Sequence, residues 1–169
     1  MPIALRILAI ILLKAGPQHL PCSLPLLATM VLLYLASGVL VLTISMEFSL
    51  AMASMLLDAG VLFAFSYFCL SLLNYRNRMV QMVSALAGVG IVYHLLAWPL
   101  FIRFDAMQDQ EQGVRIAALL MLLLISWQVL VFAHVFRQTM QMSMGRSLAL
   151  SFGYLFLSMA AAEIMFPGS

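Results

Sequence analysis

The stretch FSLAMASMLLDAGVLFAFSYFCLSLL, residues Phe48–Leu73, decides the fold class of this chain. A helix needs about 20 mainly apolar residues to cross a bilayer, and this stretch is longer than that. Its one charged residue is Asp58. The whole chain agrees, because 65% of its 169 residues are hydrophobic and only 8% are charged. Soluble domains carry roughly 25% charged residues. The sequence therefore predicts an integral membrane protein whose solvent is lipid.

Four other stretches are long and apolar enough to cross the membrane as well. The sequence predicts an all-α, polytopic membrane protein with five transmembrane helices in one bundle, at about residues 25–45, 48–73, 79–102, 116–136 and 147–166. The connections are too short to fold alone, so residues 25–169 form one transmembrane domain. Many secondary transporters contain an inverted repeat, which would favour an even division of spans and fits five spans badly.

Residues 1–24 are predicted to form an interfacial amphipathic segment and a proline-rich turn. The apolar run between Arg6 and Lys14 is too short to cross a membrane. A cleaved signal peptide is the alternative, but Lys14 interrupts the apolar run and no small-residue cleavage site follows. A short helix in the interface would hold both cations at the lipid headgroups. Whether the segment lies in the interface or is re-entrant stays open.

The basic residues predict the orientation of the chain. With a cytoplasmic N-terminus, only Arg103 and Arg115 lie outside. The other six of the eight basic residues lie on the cytoplasmic side: Arg6, Lys14, Arg76, Arg78, Arg137 and Arg146. This is the positive-inside bias. The sequence therefore predicts a multi-pass protein of the cell inner membrane, with a cytoplasmic N-terminus and a periplasmic or extracellular C-terminus.

In its layout the chain resembles the small Yip-type integral membrane proteins. These have five spans, a cytosolic N-terminus and almost nothing after the last span. The short aspartate-leucine-tyrosine-glycine-proline type motif of the eukaryotic members and their long N-terminal tail are absent here, so no functional residue is carried over. The resemblance implies a small scaffold or trafficking-type membrane protein.

Asp58 and His94 are the ionisable residues that lie deepest in the predicted spans. Asp58 lies about 15 Å below the outer end of the second span, and His94 lies about 14 Å below the outer end of the third. A tight turn joins these two spans, so they are predicted to pack as an antiparallel hairpin with both side chains at one level. Ionisable residues at this depth usually face the bundle interior. The sequence therefore predicts a direct Asp58–His94 pair.

Two interpretations of this pair remain open. In the structural one, the two side chains satisfy each other and fix the register of two helices, because a buried charge is paired or neutralised. In the functional one, they belong to a proton or ion path. Ser54, one turn from Asp58, and Gln128, near mid-membrane in the fourth span, are the predicted supporting polar residues. Toward the cytoplasm few polar side chains could continue a path, namely Ser66, Ser71 and Gln81.

The sequence gives little basis for catalysis or for a cofactor. It contains no nucleophile next to a base and no Gly-rich loop after a strand. His94 and His134 differ in depth by about 13 Å, whereas the two axial ligands of a haem lie at nearly one level. No catalytic residue, cofactor site or metal site is therefore predicted.

The predicted partners are the lipid bilayer and other membrane proteins or a second copy of the chain. The net charge of +2 does not favour nucleic acid. The leading functional hypothesis is a small non-enzymatic scaffold or accessory subunit that acts through helix contacts. The alternative is a proton- or ion-coupled transporter or channel that uses Asp58 and His94.

Overall fold

The computed structural model describes residues 2–106 and 111–167, with the backbone alone at 104–106 and 111–112. In these residues all regular secondary structure is helical. The α-helices are α1 (Ile3–Ile11), α2 (Leu24–Leu42), α3 (Phe48–Leu72), α4 (Met79–Ala106), α5 (Glu111–Met140) and α6 (Met144–Met165). Five of them, α2 to α6, are long and apolar enough to span a membrane. The all-helical class that the sequence predicts is confirmed, and the five long apolar helices are consistent with a multi-pass membrane protein.

The turn between α3 and α4 is as tight as the sequence predicts, and the backbone explains why. Asn74 has a φ of 59°, a left-handed conformation that asparagine tolerates better than most residues. The amide of Tyr75 then donates to the carbonyl of Leu70 at 2.8 Å, and the amide of Asn74 donates to the carbonyl of Ser71 at 3.3 Å. This pair of bonds is the Schellman pattern that ends a helix. It returns the chain directly into α4 through the 3₁₀ turn Arg76–Arg78.

Helix α4 lies at the centre of the packing. It contacts α1, α2, α3 and α5, while α6 packs against α3 and α5. Every residue of the segment 82–90 is buried, so this part of α4 is covered on all sides. A helix that is apolar and buried all round is an interior helix. The small residues Ala87, Gly88 and Gly90 are in this segment and let neighbouring helices approach closely.

Helix α1 packs into the bundle through one face. Ile7, Ile10 and Ile11 are buried at the i, i+3, i+4 spacing of one helix face, and Ile10 has no exposed surface. A Cβ atom built on Gly88 would lie 2.8 Å from Cδ1 of Ile7, so the isoleucine fills the space that the glycine leaves. Gly88 lies about 14 Å along α4 from its start. Helix α1 therefore packs against the body of α4, away from its first turn.

Side chains of the bundle also hold the irregular backbone that follows α1. His134 of α5 donates from Nε2 to the carbonyl of Ala15 at 3.0 Å, and Gln81 of α4 donates to the carbonyl of Leu20 at 2.8 Å. Arg6 donates to the carbonyl of His19. Non-helical backbone at membrane depth is tolerated only where protein groups satisfy it. The N-terminal segment is therefore packed against the helices, and its position in the membrane interface stays a prediction.

Candidate functional site

Asp58 of α3 accepts hydrogen bonds from three hydroxyl groups. Tyr34 of α2 donates to Oδ2, and Ser158 of α6 donates to Oδ1. Tyr154 of α6 also donates to Oδ1, at 3.2 Å. A carboxylate away from water is stable only when it is hydrogen-bonded or paired. This cluster of four side chains, the Asp58 cluster, joins three helices at one acidic group.

The hydroxyl groups reach Asp58 because the three helices bring them to one level. Asp58 lies about 15 Å from the start of α3, Tyr34 about 12 Å from the end of α2, and Tyr154 about 16 Å from the end of α6. These depths differ by less than one helical turn. Counting residues could have found the two tyrosines as candidates, since each is in the middle of a span. The sequence alone did not show that α2 and α6 both lie beside α3.

His94 joins the same region through α2. Its ring centroid lies 4.9 Å from that of Tyr34, and its Nδ1 lies 2.9 Å from the hydroxyl oxygen of Ser37. The Ser37 hydroxyl donates to the backbone carbonyl of Tyr34 at 3.0 Å, so its single proton is already used. Nδ1 of His94 is therefore the donor to Ser37. The imidazole of His94 on α4 is thus held to α2 by two hydrogen bonds in series, from His94 to Ser37 and from Ser37 to the carbonyl of Tyr34.

The direct Asp58–His94 contact that the sequence predicts is replaced by an indirect one. Among the described residues, the hydrogen bonds of Asp58 go to hydroxyl groups and that of His94 goes to Ser37. Tyr34 contacts both, with its hydroxyl on Asp58 and its ring on His94. The physical reason is that α4 packs mainly on α2, which brings the tyrosine between the two residues.

Two glycines create the space for this arrangement. A Cβ atom on Gly90 of α4 would lie 2.3 Å from Cε2 of Tyr34. A Cβ atom on Gly38 of α2 would lie 2.2 Å from Cε of Met55 and 3.0 Å from Cε1 of His94. A side chain at Gly90 would therefore displace the Tyr34 ring, and one at Gly38 would displace the end of the Met55 side chain and crowd the imidazole of His94. Small residues at helix contacts allow such close packing in membranes.

The two predicted supporting residues, Ser54 and Gln128, are not members of the Asp58 cluster. Ser54 makes no hydrogen bond with Asp58 in the described part of the chain. Gln128 of α5 lines a cleft of about 460 Å³ together with Tyr93 and His94, and the rest of its wall is apolar. The Tyr93 hydroxyl is buried and has no hydrogen-bond partner among the described residues. Gln128 is therefore near His94 but is not a ligand of the Asp58 cluster.

In the residues that the structure describes, no group of three or more His, Cys, Asp or Glu side chains could hold a metal ion. The described residues form a helical protein with five helices long and apolar enough to span a membrane, and a hydrogen-bonded carboxylate lies among these helices. Comparisons of the chain with protein-family profiles, with curated proteins and with solved structures find no match.

Proposed function

We propose that this chain is a small, non-enzymatic integral protein of the cell inner membrane, a scaffold or accessory subunit that acts through helix contacts. The observation that carries the proposal is the Asp58 cluster. Its carboxylate oxygens are occupied by hydroxyl groups from α2 and α6, so the cluster links three helices and fixes their arrangement. A protein that presents helix faces to partners needs such a fixed arrangement, and hydrogen bonds between helices contribute to it.

The outer face of α6 supports the same proposal. The inner face of this helix packs into the bundle, with Ser147 and Ser151 buried. The opposite face exposes Gly145, Ala149 and Gly153, and a Cβ atom on either glycine would meet nothing within 4 Å. Small residues four apart on a lipid-facing helix are typical of contacts between transmembrane helices. The proposed partner is the transmembrane helix of another membrane protein, or a second copy of this chain.

The experiment compares two substitutions on the exposed face of α6 by cross-linking in native membranes and purification in a mild detergent. Gly153→Leu places a branched side chain in the small-residue face, at a position where a Cβ atom would meet nothing within 4 Å. Phe156→Leu, at the well exposed Phe156, keeps a large apolar group and serves as the control. We expect the partner to be lost with Gly153→Leu and retained with Phe156→Leu. A wild-type chain that stays a lone monomer in both measurements would overturn the proposal.

The alternative function, a proton- or ion-coupled transporter or channel, is favoured by one observation. The contacts from Asp58 through Tyr34 to His94 end at the cleft that His94 lines. A relay would also need successors toward the cytoplasmic side. There the Ser71 hydroxyl accepts a bond from Arg76, and Gln81 is bound to Leu20, so neither continues from Asp58.

A flux assay separates the two functions. Asp58→Asn removes the carboxylate but keeps one acceptor oxygen, and its amide nitrogen can donate to a hydroxyl oxygen at the other position. In proteoliposomes that contain a pH-sensitive dye, a transporter would show proton flux that Asp58→Asn abolishes. The scaffold proposal expects the same dye response for the wild type, for Asp58→Asn and for empty liposomes.

A further inference from the structure

A polar pocket lies at the end of the helices where α4 begins and α5 ends. Its volume is about 440 Å³, within the range of pockets that bind small molecules. The lining residues come from the 3₁₀ turn after α1, from the start of α4 and from the end of α5. They are Pro17, Gln18, Arg78, Gln81, Arg137, Gln138, Thr139, Gln141 and Met142. Two of these are arginines and none is acidic, so the pocket carries uncompensated positive charge.

Arg78 is held in a defined position in this pocket. Its Nη1 donates to the backbone carbonyl of Thr139 at 2.8 Å, and its Cζ lies 4.9 Å from the ring centroid of Tyr75. One bond therefore anchors the guanidinium to the end of α5. The other N–H groups of the planar fork remain for a ligand, and this fork matches the geometry of phosphate oxygens.

Arg137 supplies the second positive charge. It is exposed and has no hydrogen bond or ion pair with any described residue. The half-buried Gln138 and the exposed Gln141 lie beside it in the lining, and their amides also lack described partners. The pocket thus combines one fixed guanidinium, one free guanidinium and neutral amide donors, a set that suits a phosphate group.

The position of the pocket indicates which kind of phosphate compound it binds. The helices that form it begin or end at this point, and in a membrane-spanning chain helix ends lie at the lipid headgroups. Basic pockets between spans on the cytoplasmic side bind the headgroups of anionic lipids. We propose that this pocket binds the headgroup phosphate of an anionic phospholipid, with Arg78 and Arg137 as the phosphate ligands.

The proposal is tested with the full-length protein and phosphatidylglycerol. Nanodiscs of phosphatidylcholine with and without phosphatidylglycerol would be compared, with native mass spectrometry of retained lipid and thermal unfolding as readouts. We expect retention of phosphatidylglycerol and a higher unfolding temperature in its presence. Arg137→Gln should weaken the binding roughly tenfold, the factor expected for the loss of one charge-assisted hydrogen bond.

Two controls accompany the Arg137→Gln variant, a second arginine substitution and a soluble phosphate. Arg146→Gln removes an exposed arginine at the same end of the helices but outside the pocket, and should leave lipid binding unchanged. Equal weakening by Arg146→Gln and Arg137→Gln would overturn the proposal, because binding would then follow surface charge alone. Inorganic phosphate that stabilises the protein as well as phosphatidylglycerol does would also overturn it, in favour of a soluble phosphate ligand. Since Arg78→Gln also removes the bond to Thr139, only Arg137 decides the outcome.

Discussion

Tyr34 donates its hydroxyl hydrogen bond to Asp58 while its ring packs against the imidazole of His94. One side chain from α2 thus connects an acidic residue on α3 with a basic one on α4. Tyr154 and Ser158 extend this connection to α6. Four of the five candidate spans therefore meet around two ionisable residues, and the following predictions test what these contacts contribute.

Removal of the Tyr34 hydroxyl should destabilise the protein. We expect Tyr34→Phe to lower the free energy of unfolding by about 1–2 kcal/mol, because Asp58 loses one of its donors inside the bundle. Tyr67→Phe is the matched control, since Tyr67 is 48% exposed and keeps its ring under the guanidinium of Arg76. Unfolding in mixed micelles measures both. Equal effects of the two substitutions would contradict the hydrogen bond from Tyr34 to Asp58.

A double-mutant cycle should show that Asp58 is coupled to Tyr34 more strongly than to His94. Residues in direct contact couple by about 0.5–3 kcal/mol, whereas indirect neighbours approach additivity. Asp58→Leu would be combined with Tyr34→Phe in one cycle and with His94→Leu in another, with unfolding free energies measured in each. A larger coupling energy in the cycle with His94 would instead support the direct Asp58–His94 contact that the sequence predicts.

Gly90 should tolerate no side chain. We expect Gly90→Ala to destabilise the protein by about 1–3 kcal/mol, because the added methyl group would push the Tyr34 ring away from Asp58. Gly60→Ala on the exposed face of α3 is the control, since its Cβ would meet nothing within 4 Å. The control should be neutral or stabilising by about 0.5–1 kcal/mol through helix propensity. Similar unfolding temperatures for the two variants would contradict the packing of Tyr34 against α4.

The packing of α1 can be tested on two of its own residues. Ile10 has no exposed surface, whereas Leu8 is 48% exposed. Ile10→Ala should therefore cost about 2–5 kcal/mol of stability as a core truncation, and Leu8→Ala much less. Unfolding in detergent micelles measures the difference. Small and equal effects would mean that α1 lies on the membrane surface.

Reporter fusions should place the N-terminus in the cytoplasm and the C-terminus on the opposite side. The expected map follows from the excess of arginine and lysine on the cytoplasmic side and from five crossings. Fusions after Asn74 and after Gln141 should report the cytoplasm. A sixth crossing, or an external N-terminus, would refute this topology.

The helical class and the approximate boundaries of the five candidate spans were predictable from the sequence. Length and hydropathy suffice for these, because a bilayer leaves the backbone few ways to satisfy its hydrogen bonds. The sequence also indicated that Asp58 requires internal partners. Counting along each span also placed that residue near the middle of its helix, since every helical residue rises by about 1.5 Å.

The side chains that Asp58 contacts depend on the tertiary packing of the helices. Depth along a span does not specify which helices are neighbours or how each is rotated, and both depend on side-chain volumes at the contacts. Gly90 admits the Tyr34 ring between α2 and α4, and α6 packs beside α3, so hydroxyl groups from two helices reach the carboxylate. The position of α1 was decided in the same way, because Gly88 leaves a space that Ile7 fills.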